Sequence, residues 1–363
     1  LATVNPTVFT ASAIVIASFV VFGVVFTDAA NQVFGTIQSG ITHYLGWFYI
    51  LAVTIFLGFL IWLALSRYGT IRLGQPGETP EFSFFGWFSM LFSAGMGIGL
   101  VYWSVAEPML HFENPPAGAG TTAEAARQAM VYSFFHWGLH AWAVYVVLGL
   151  SVAYFSFRKL LPLTIRSIFY PMLGDRIYGN IGHLIDILAV FGTLFGLATS
   201  LGFGAMQLNT GLNILTGLPV SQWVQVGIIA SITGVAVLSV ISGLDRGLKW
   251  ISQFNLMLAV LMMGFVLVVG PTLFNIRFFL ESLGTYLQQL PAISLSTDAF
   301  DNSAWQKEWT IFYWAWWIAW SPFVGIFIAR ISRGRTIREF IAGVLLLPSL
   351  FVFAWLTIFG GTA

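Results

Sequence analysis

The sequence predicts an all-α polytopic membrane protein, and three observations carry that prediction. The chain is 58% hydrophobic and only 8% charged, with a mean hydropathy of +0.86, whereas soluble domains carry about a quarter charged residues. Apolar runs of about 20 residues, the length that crosses the hydrocarbon core, recur nine times, near 8–27, 46–66, 84–109, 124–157, 180–208, 221–242, 249–271, 305–329 and 337–359. The loops between them alternate in charge: Arg67, Arg72, Arg158, Lys159, Arg166, Arg176, Arg246, Lys249, Arg330, Arg333, Arg335 and Arg338 fall on one side, and only Arg127, Arg277 and Lys307 on the other. By the positive-inside rule the N-terminus is cytoplasmic. With no cysteine in the chain, disulfides, thiolate metal sites and cysteine nucleophiles are excluded.

The first run carries no embedded charge and reads as a peripheral, lipid-facing helix that is too long for a signal peptide and lacks its charged start. Residues 29–45 mix polar and apolar side chains around Gly35 and Gly40, which predicts a short helix on the outer surface. The second run is rich in Leu, Ile and Phe. In the third, Gly95, Gly97 and Gly99 stand at alternate positions of a membrane helix. Each costs about 1 kcal/mol relative to Ala. Close packing explains Gly95 and Gly99, which have the Gly-x-x-x-Gly spacing; local unwinding explains Gly97 as well, and unwound carbonyls facing a cavity can coordinate a cation. Glu107-Pro108 near the end of this run reads as a solvated turn.

The fourth run opens on Thr121-Thr122-Ala123-Glu124, a helix N-cap pattern, and carries His136-Trp137-Gly138-Leu139-His140-Ala141-Trp142-Ala143-Val144-Tyr145. From Trp137, Tyr145 lies at about 80° and Trp142 at about 140° around the helix, so three rings line one broad face. His136 and His140 have the spacing of a metal pair, but no third ligand or carboxylate stands near them in the sequence, which favours hydrogen-bonded packing histidines. Asp186 lies close to the start of the fifth run and reads as solvated or paired. The stretch Gly192-Thr193-Leu194-Phe195-Gly196-Leu197-Ala198-Thr199-Ser200 fits close packing and ion ligands equally. The sixth and seventh runs are ordinary, and Phe274 to Leu290 is amphipathic enough to lie on the outer membrane surface.

The eighth run holds Trp305, Trp309, Trp314, Trp316, Trp317 and Trp320. At about 100° per residue, Trp309, Trp316 and Trp320 fall within roughly 40° of one another. Leu or Phe would fill a core without an indole N–H that needs a partner, so a face of indoles points to a cation held by rings. An ammonium group without N–H donors gains about 2 kcal/mol or more per ring once water is excluded. An interfacial aromatic belt accounts for Trp305 and Trp309. Ser321-Pro322 removes a backbone donor, which predicts a second interrupted helix, and a pair of interrupted helices points to the substrate site of a secondary transporter.

The glycine stretch 95–99, the Trp137/Trp142/Tyr145 run, Tyr313-Trp314-Ala315-Trp316-Trp317 through Trp320-Ser321-Pro322-Phe323-Val324-Gly325, and Arg333-Gly334-Arg335-Thr336-Ile337-Arg338-Glu339-Phe340 together closely resemble the betaine/choline/carnitine transporter family over the whole chain. The resemblance implies a LeuT-type inverted-repeat fold with two extra N-terminal helices. On that plan residues 1–66 are the two peripheral helices, 84–271 the first five-helix repeat, 272–304 an external loop with a surface helix, and 305–363 two helices of the second repeat. Because the chain starts Leu1-Ala2-Thr3 and stops at Ala363, just past a helix, the fold is expected to be truncated after the ninth span, and residues 1–363 alone are expected not to transport.

The family resemblance also implies that Trp137, Trp142, Tyr145 and Trp317 form an aromatic box for a small onium substrate, with Trp320 beside it on the permeation path. It places Ser93 and Met96 at a sodium site, Met96 among the substrate contacts too, and a second sodium at Thr193 and Phe323; the pattern's second Thr is Leu197 here. Gly99 stands where proton-coupled choline members carry an acid. Glycine betaine taken up by sodium symport is the expected function, with sodium as coupling ion and no other cofactor; proton-coupled choline uptake and carnitine-type exchange are the alternatives. A homotrimer in a bacterial inner membrane, with no nucleic-acid partner, completes the expectation. An intramembrane enzyme would need a convergent catalytic set, and only His136, His140, Glu107 and Asp186 offer groups for one, with no spacing that joins them.

Overall fold

Asn5 opens the first helix as its residue type favours: its side chain accepts the Val8 N–H at 3.2 Å, and Pro6 follows where a missing N–H costs nothing. The computed structural model describes residues 4–95, 97–241, 249–300 and 304–363. Its α-helices are α1 (Pro6–Val25), α2 (Thr27–Leu65), α3 (Phe84–Gly95), α4 (Ile98–Glu113), α5 (Ala123–Trp137), α6 (Leu139–Ala153), the short α7 (Tyr170–Leu173), α8 (Asn180–Thr216), α9 (Gln222–Ile241), α10 (Lys249–Val269), α11 (Thr272–Ser294), the single turn α12 (Ala304–Gln306), α13 (Phe312–Ile331) and α14 (Ile337–Thr362). Among the described residues there is no strand, and one antiparallel bridge pairs Arg72 with Thr336. Among the described residues, eight helical segments are long and apolar enough to cross a membrane, and they match eight of the nine expected runs. This is an all-α, multi-pass membrane protein.

The remaining run, 84–109, is divided. α3 ends at Gly95 and α4 starts after Gly97, whose backbone is extended (φ −88°, ψ 170°) and whose carbonyl accepts the Leu100 N–H at 3.1 Å. The helix is therefore broken at Gly97, inside the glycine stretch. Met96, assigned to both the sodium and the substrate site, lies outside the described residues.

Four expectations are corrected. Residues 29–45 form no separate surface helix but the first half of α2, which runs unbroken for 39 residues. α13 is not interrupted at Ser321-Pro322. Pro322 cannot donate to Ile318 O, but the Ser321 hydroxyl does so at 2.7 Å, and the helix continues to Ile331. The irregular turn of this span lies earlier, where Lys307–Ile311 widens to a π-helical run. The fourth run, read as one helix, breaks at Gly138 (φ −97°, ψ −132°), between α5 and α6. Glu107, read as part of a solvated turn, is buried inside α4 and wholly shielded from solvent.

By its packing the chain forms two compact units, each assembled from three segments. One comprises Leu1–Pro80, His140–Gly196 and Pro291–Ala342; the other comprises Glu81–Leu139, Leu197–Leu290 and Gly343–Ala363. In the first unit the loop after α2 is laced to the loop after α13: Leu73 N–H donates to Arg335 O, Gly334 N–H to Leu73 O and Ile337 N–H to Ile71 O, each at 2.8 Å. Arg72 Nη1 reaches Gly334 O at 2.8 Å and Arg333 Nε reaches Glu78 Oε1 at 2.5 Å. The Gln75 N–H on Glu78 Oε2, then the Arg333 guanidinium, hold the Glu78 carboxyl below its ordinary range. Asp186 is paired, as expected: Arg166 Nε lies 2.8 Å from its Oδ2, and the Arg166 backbone N–H donates to Oδ1 at 3.1 Å. In the second unit Phe134 stacks on Phe353 with centroids 4.2 Å apart, and Tyr286 stands edge-on to Phe353 at 5.2 Å. Arg127 ties α5 to α11 through Glu281 at 2.7 Å.

Candidate functional site: two crossing aromatic helices

Two glycines explain how the aromatic runs meet. α6 and α13 cross at Gly149 and Gly325: a Cβ on Gly149 would come within 2.6 Å of Ile328 Cγ1 and 3.1 Å of Gly325 O, and one on Gly325 would run into Leu148 and lie 3.2 Å from Gly149 N. Small residues that let membrane helices approach this closely gain dispersion contact along the crossing. The approach brings Trp142 and Tyr145 of α6 to the indoles of α13. Trp142 and Tyr145 have centroids 5.7 Å apart at 79°, and Tyr145 and Trp317 6.2 Å apart at 70°. Trp317 is backed by Trp316, stacked at 4.9 Å and 15°, and by Tyr313 at 5.6 Å. Trp142, Tyr145 and Trp317 are all at least 94% buried. Three rings set nearly edge to face, with a stacked column behind one of them, form a rigid wall of π faces.

α8 supplies the neighbouring side through its small residues. A Cβ on Gly192 would sit 3.3 Å from Ala319 O, and Gly196 lies directly under the Trp320 indole, whose other neighbour is Phe323 at 5.1 Å. Close packing thus accounts for Gly192 and Gly196. Thr193 and Phe323, the expected second sodium pair, line one cavity of about 740 Å³ together with Asp186, Arg166, Pro322 and Arg330. Leu197 is 39% exposed. His140 stacks on Trp314 at 5.6 Å and 18°, a packing role.

Ser93 and Trp137 belong to the second unit. Ser93 Oγ donates to Ser252 O at 3.5 Å, which sets α3 against α10. Trp137 is 7% exposed, and its Nε1–H donates to Glu107 Oε2 at 2.6 Å. Glu107 Oε1 lies 2.7 Å from His136 Nδ1 and 3.3 Å from His111 Nε2, and neither imidazole is exposed. The expectation that no carboxylate stands near His136, and that no spacing joins it to Glu107, is therefore overturned. Antiparallel pairing of α4 and α5 across the 114–122 loop places position 107 opposite 136 and 137; the loop is pinned by the Thr121 N–H on Phe112 O at 2.8 Å and by the Thr122 cap on the Ala125 N–H at 3.1 Å. The three ligand-type atoms of Glu107, His111 and His136 lie within 4.8 Å of one another. Their short contacts to Glu107 are hydrogen-bond distances, so the cluster satisfies its own buried polar atoms as hydrogen-bonded packing requires.

A family model described as betaine/carnitine/choline family transporter matches residues 7–363. The chain belongs to that family. It is similar to the glycine betaine transporter OpuD of Bacillus subtilis, 50% identical over 350 residues that cover 96% of this chain and 68% of OpuD. It is 47% identical over 360 residues to the osmo-dependent choline transporter BetT2 of Acinetobacter baylyi, covering 99% of this chain and 52% of that one. An uncharacterised transporter of Mycobacterium tuberculosis is 50% identical over 367 residues, which are 100% of this chain and 62% of the relative. The chain thus spans between about half and two thirds of the length of these relatives. The family is one of transporters and not of enzymes, which agrees with the exclusion of a catalytic set.

Three features of the family chain escaped the sequence reading. The Gly149/Gly325 crossing carries the small-residue signal of close packing, but each glycine stands alone in its helix. The break at Gly138 had a visible signal, a lone glycine amid the aromatic run. The Glu107–His136–Trp137 cluster had none, because its partners are 29 and 30 positions apart.

Proposed function

We propose that the protein is a secondary active transporter that moves a compact onium solute, glycine betaine foremost, into the cell by symport with sodium. The observation that carries this reading is the buried trio Trp142, Tyr145 and Trp317 at the α6–α13 crossing. A trimethylammonium group has no N–H to offer a carboxylate or carbonyl, so its charge is best met by the negative faces of rings, at about 2 kcal/mol per ring where water is excluded. The near-perpendicular setting of the three rings suits a roughly spherical cation better than a flat one. Trp320, one turn beyond Trp317 and packed on Gly196, is assigned the approach to this site. Trp137 is assigned a ring on the substrate as well.

On this reading sodium is a co-transported substrate. Thr193 and Phe323, which line one cavity, are assigned one ion, and the carbonyls around Ser93 and Met96 the other. Gly99 offers no carboxylate to take a coupling proton. The basic loops are assigned to the cytoplasmic face of a bacterial inner membrane, and the assembly to a homotrimer. Proton-coupled choline uptake is the second reading, favoured by the likeness to a relative named as a choline transporter.

The test is transport by the whole protein, purified and placed in liposomes. An inward sodium gradient is expected to drive accumulation of labelled glycine betaine, and unlabelled glycine betaine inside to drive counterflow. Choline uptake driven by a proton gradient in sodium-free buffer would replace the sodium reading by the second. Movement of neither solute under either gradient would remove both.

A further inference from the structure

A carboxylate buried at membrane depth is costly unless it is paired, and intramembrane acids are rare enough that each calls for a purpose. Glu107 meets its demand from two consecutive residues at the last turn of α5: Oε1 lies on His136 Nδ1 at 2.7 Å, and Oε2 takes the Trp137 Nε1–H at 2.6 Å. His111, one turn further along α4, closes on Oε1 at 3.3 Å. The next residue is Gly138, where the helix breaks and the backbone ladder ends with the Gly138 N–H on Phe134 O at 2.8 Å. Trp137 therefore stands at a helix end, where side-chain contacts carry more of the burden of fixing a ring. α14 seals the cluster from behind: a Cβ on Gly360 would lie 2.8 Å from Ser104 O and from Pro108 Cγ, within the turn of α4 that carries Glu107. A backbone carbonyl would be enough to satisfy one indole N–H. A carboxyl group that grips residues 136 and 137 through separate oxygens does more, because it fixes both the position of the ring and its rotation.

We propose that Glu107 is a positioning residue for substrate binding: it clamps the end of α5 at the Gly138 break and holds the Trp137 ring at the angle at which it meets the onium substrate. The inference rests on the reading that Trp137 presents its ring to that substrate. Glu107 itself touches no substrate, so its removal acts on affinity through Trp137 alone. This separates it from a residue that only stabilises the fold, whose loss lowers the amount of active protein and leaves the affinity of the survivors unchanged.

The experiment measures KM and Vmax for labelled glycine betaine in liposomes holding the whole protein, with the amount of folded transporter quantified. Trp137→Leu is expected to raise KM at least tenfold, as the loss of one ring from a dry site should. Glu107→Leu is expected to raise KM by roughly tenfold, the usual size of a lost charge-assisted hydrogen bond, and Glu107→Gln to return it to within about threefold of the parent, since the amide oxygen still accepts the indole N–H. In a Trp137→Phe background, which has no N–H to hold, neither Glu107 variant should raise KM further, the non-additivity expected of two groups acting as one. If Glu107→Leu does not fold, Glu107→Asp, whose carboxylate falls one methylene short of the Trp137 N–H, takes its place in the cycle and is expected to raise KM by roughly tenfold in the parent and no further in the Trp137→Phe background. A raised KM in Trp137→Leu with a normal KM in Glu107→Leu or its Glu107→Asp replacement, or additive effects in the cycle, overturns the positioning role and leaves the binding reading standing. A normal KM in Trp137→Leu removes Trp137 from the binding reading, and the proposal with it.

Discussion

Substitutions at Trp317 can separate ring chemistry from packing. The indole is 6% exposed, faces Tyr145 at 6.2 Å and 70°, and lies on Trp316 at 4.9 Å. Trp317→Phe keeps a π face in the same place, whereas Trp317→Leu keeps apolar bulk and loses the face. Removing one ring from a water-excluded cation site costs about 2 kcal/mol, which is roughly 30-fold in affinity. Trp317→Leu is therefore expected to raise KM for glycine betaine by roughly 30-fold and Trp317→Phe by roughly fivefold or less. Both variants leave part of the indole volume empty, which costs on the order of 1–3 kcal/mol of stability in a packed core. That penalty lowers yield and melting temperature in both, so it cannot produce a difference in KM between them. The assay is the initial rate of labelled glycine betaine uptake into liposomes, normalised to folded protein, with Kd from equilibrium dialysis as a check that KM follows binding. Equal KM in the two variants, whether raised or unchanged, would refute the ring argument.

Gly149→Leu or Gly325→Leu should force α6 and α13 apart and cost about 1–3 kcal/mol in overpacking, with loss of betaine binding; wild-type Kd in a folded Gly325→Leu protein would show that the crossing does not set the rings. A Cβ on Gly97 meets nothing within 4 Å, and its extended backbone suits any residue. Gly97→Ala should therefore fold normally yet slow uptake by stiffening the unwound segment in the transport cycle, while Gly23→Ala in α1, equally free of steric contact, should change nothing; equal rates in the two would remove the hinge role. Glu78 has its carboxyl held below the usual value of 4.5 by the Gln75 N–H first and Arg333 next. Its contribution is then present above the unfolded pKa and is lost as pH falls through the depressed folded one, so thermal unfolding between pH 6 and pH 3 should lose less stability in Glu78→Gln than in the parent. With Arg333 47% exposed, the difference should stay under about 1 kcal/mol.

Composition and hydropathy were enough to read the helices, because a segment that crosses lipid must be apolar for its whole length and must satisfy its backbone internally. The break between α3 and α4 was legible for a related reason: three glycines in five positions remove the propensity that keeps a helix wound. Breaks that depend on one residue were read less well. Gly138 interrupts a span and Pro322 does not, the reverse of what their reputations suggest. At Pro322 a neighbour supplies the missing donor, since the Ser321 hydroxyl reaches Ile318 O. At Gly138 no side chain fills the space, and Phe353 of α14 takes the place where a Cβ would be. Whether a single breaker breaks is thus decided by what lies beside it, which periodicity does not record.

The two aromatic clusters differ in the same way. Trp142, Tyr145 and Trp317 were legible because ring density on one helix face is a local property, and each run announces itself within about three turns. Glu107 was misread because the meaning of an acid near the end of an apolar run depends on where the helix ends. A helix that stopped at Pro108 would leave Glu107 in water; α4 continues to Glu113, and the extra turn carries the carboxylate inside. Proline in a helix removes its own donor and crowds the carbonyl four residues back, yet α4 accommodates Pro108 and runs on to Glu113. Once α4 continues, antiparallel pairing with α5 fixes what the carboxylate meets: residues 136 and 137, a histidine and a tryptophan that both have N–H groups to give. Neither the acid nor its two partners signals this alone. The sequence contains the donors and the acceptor, and only the hairpin supplies the register that makes them one unit.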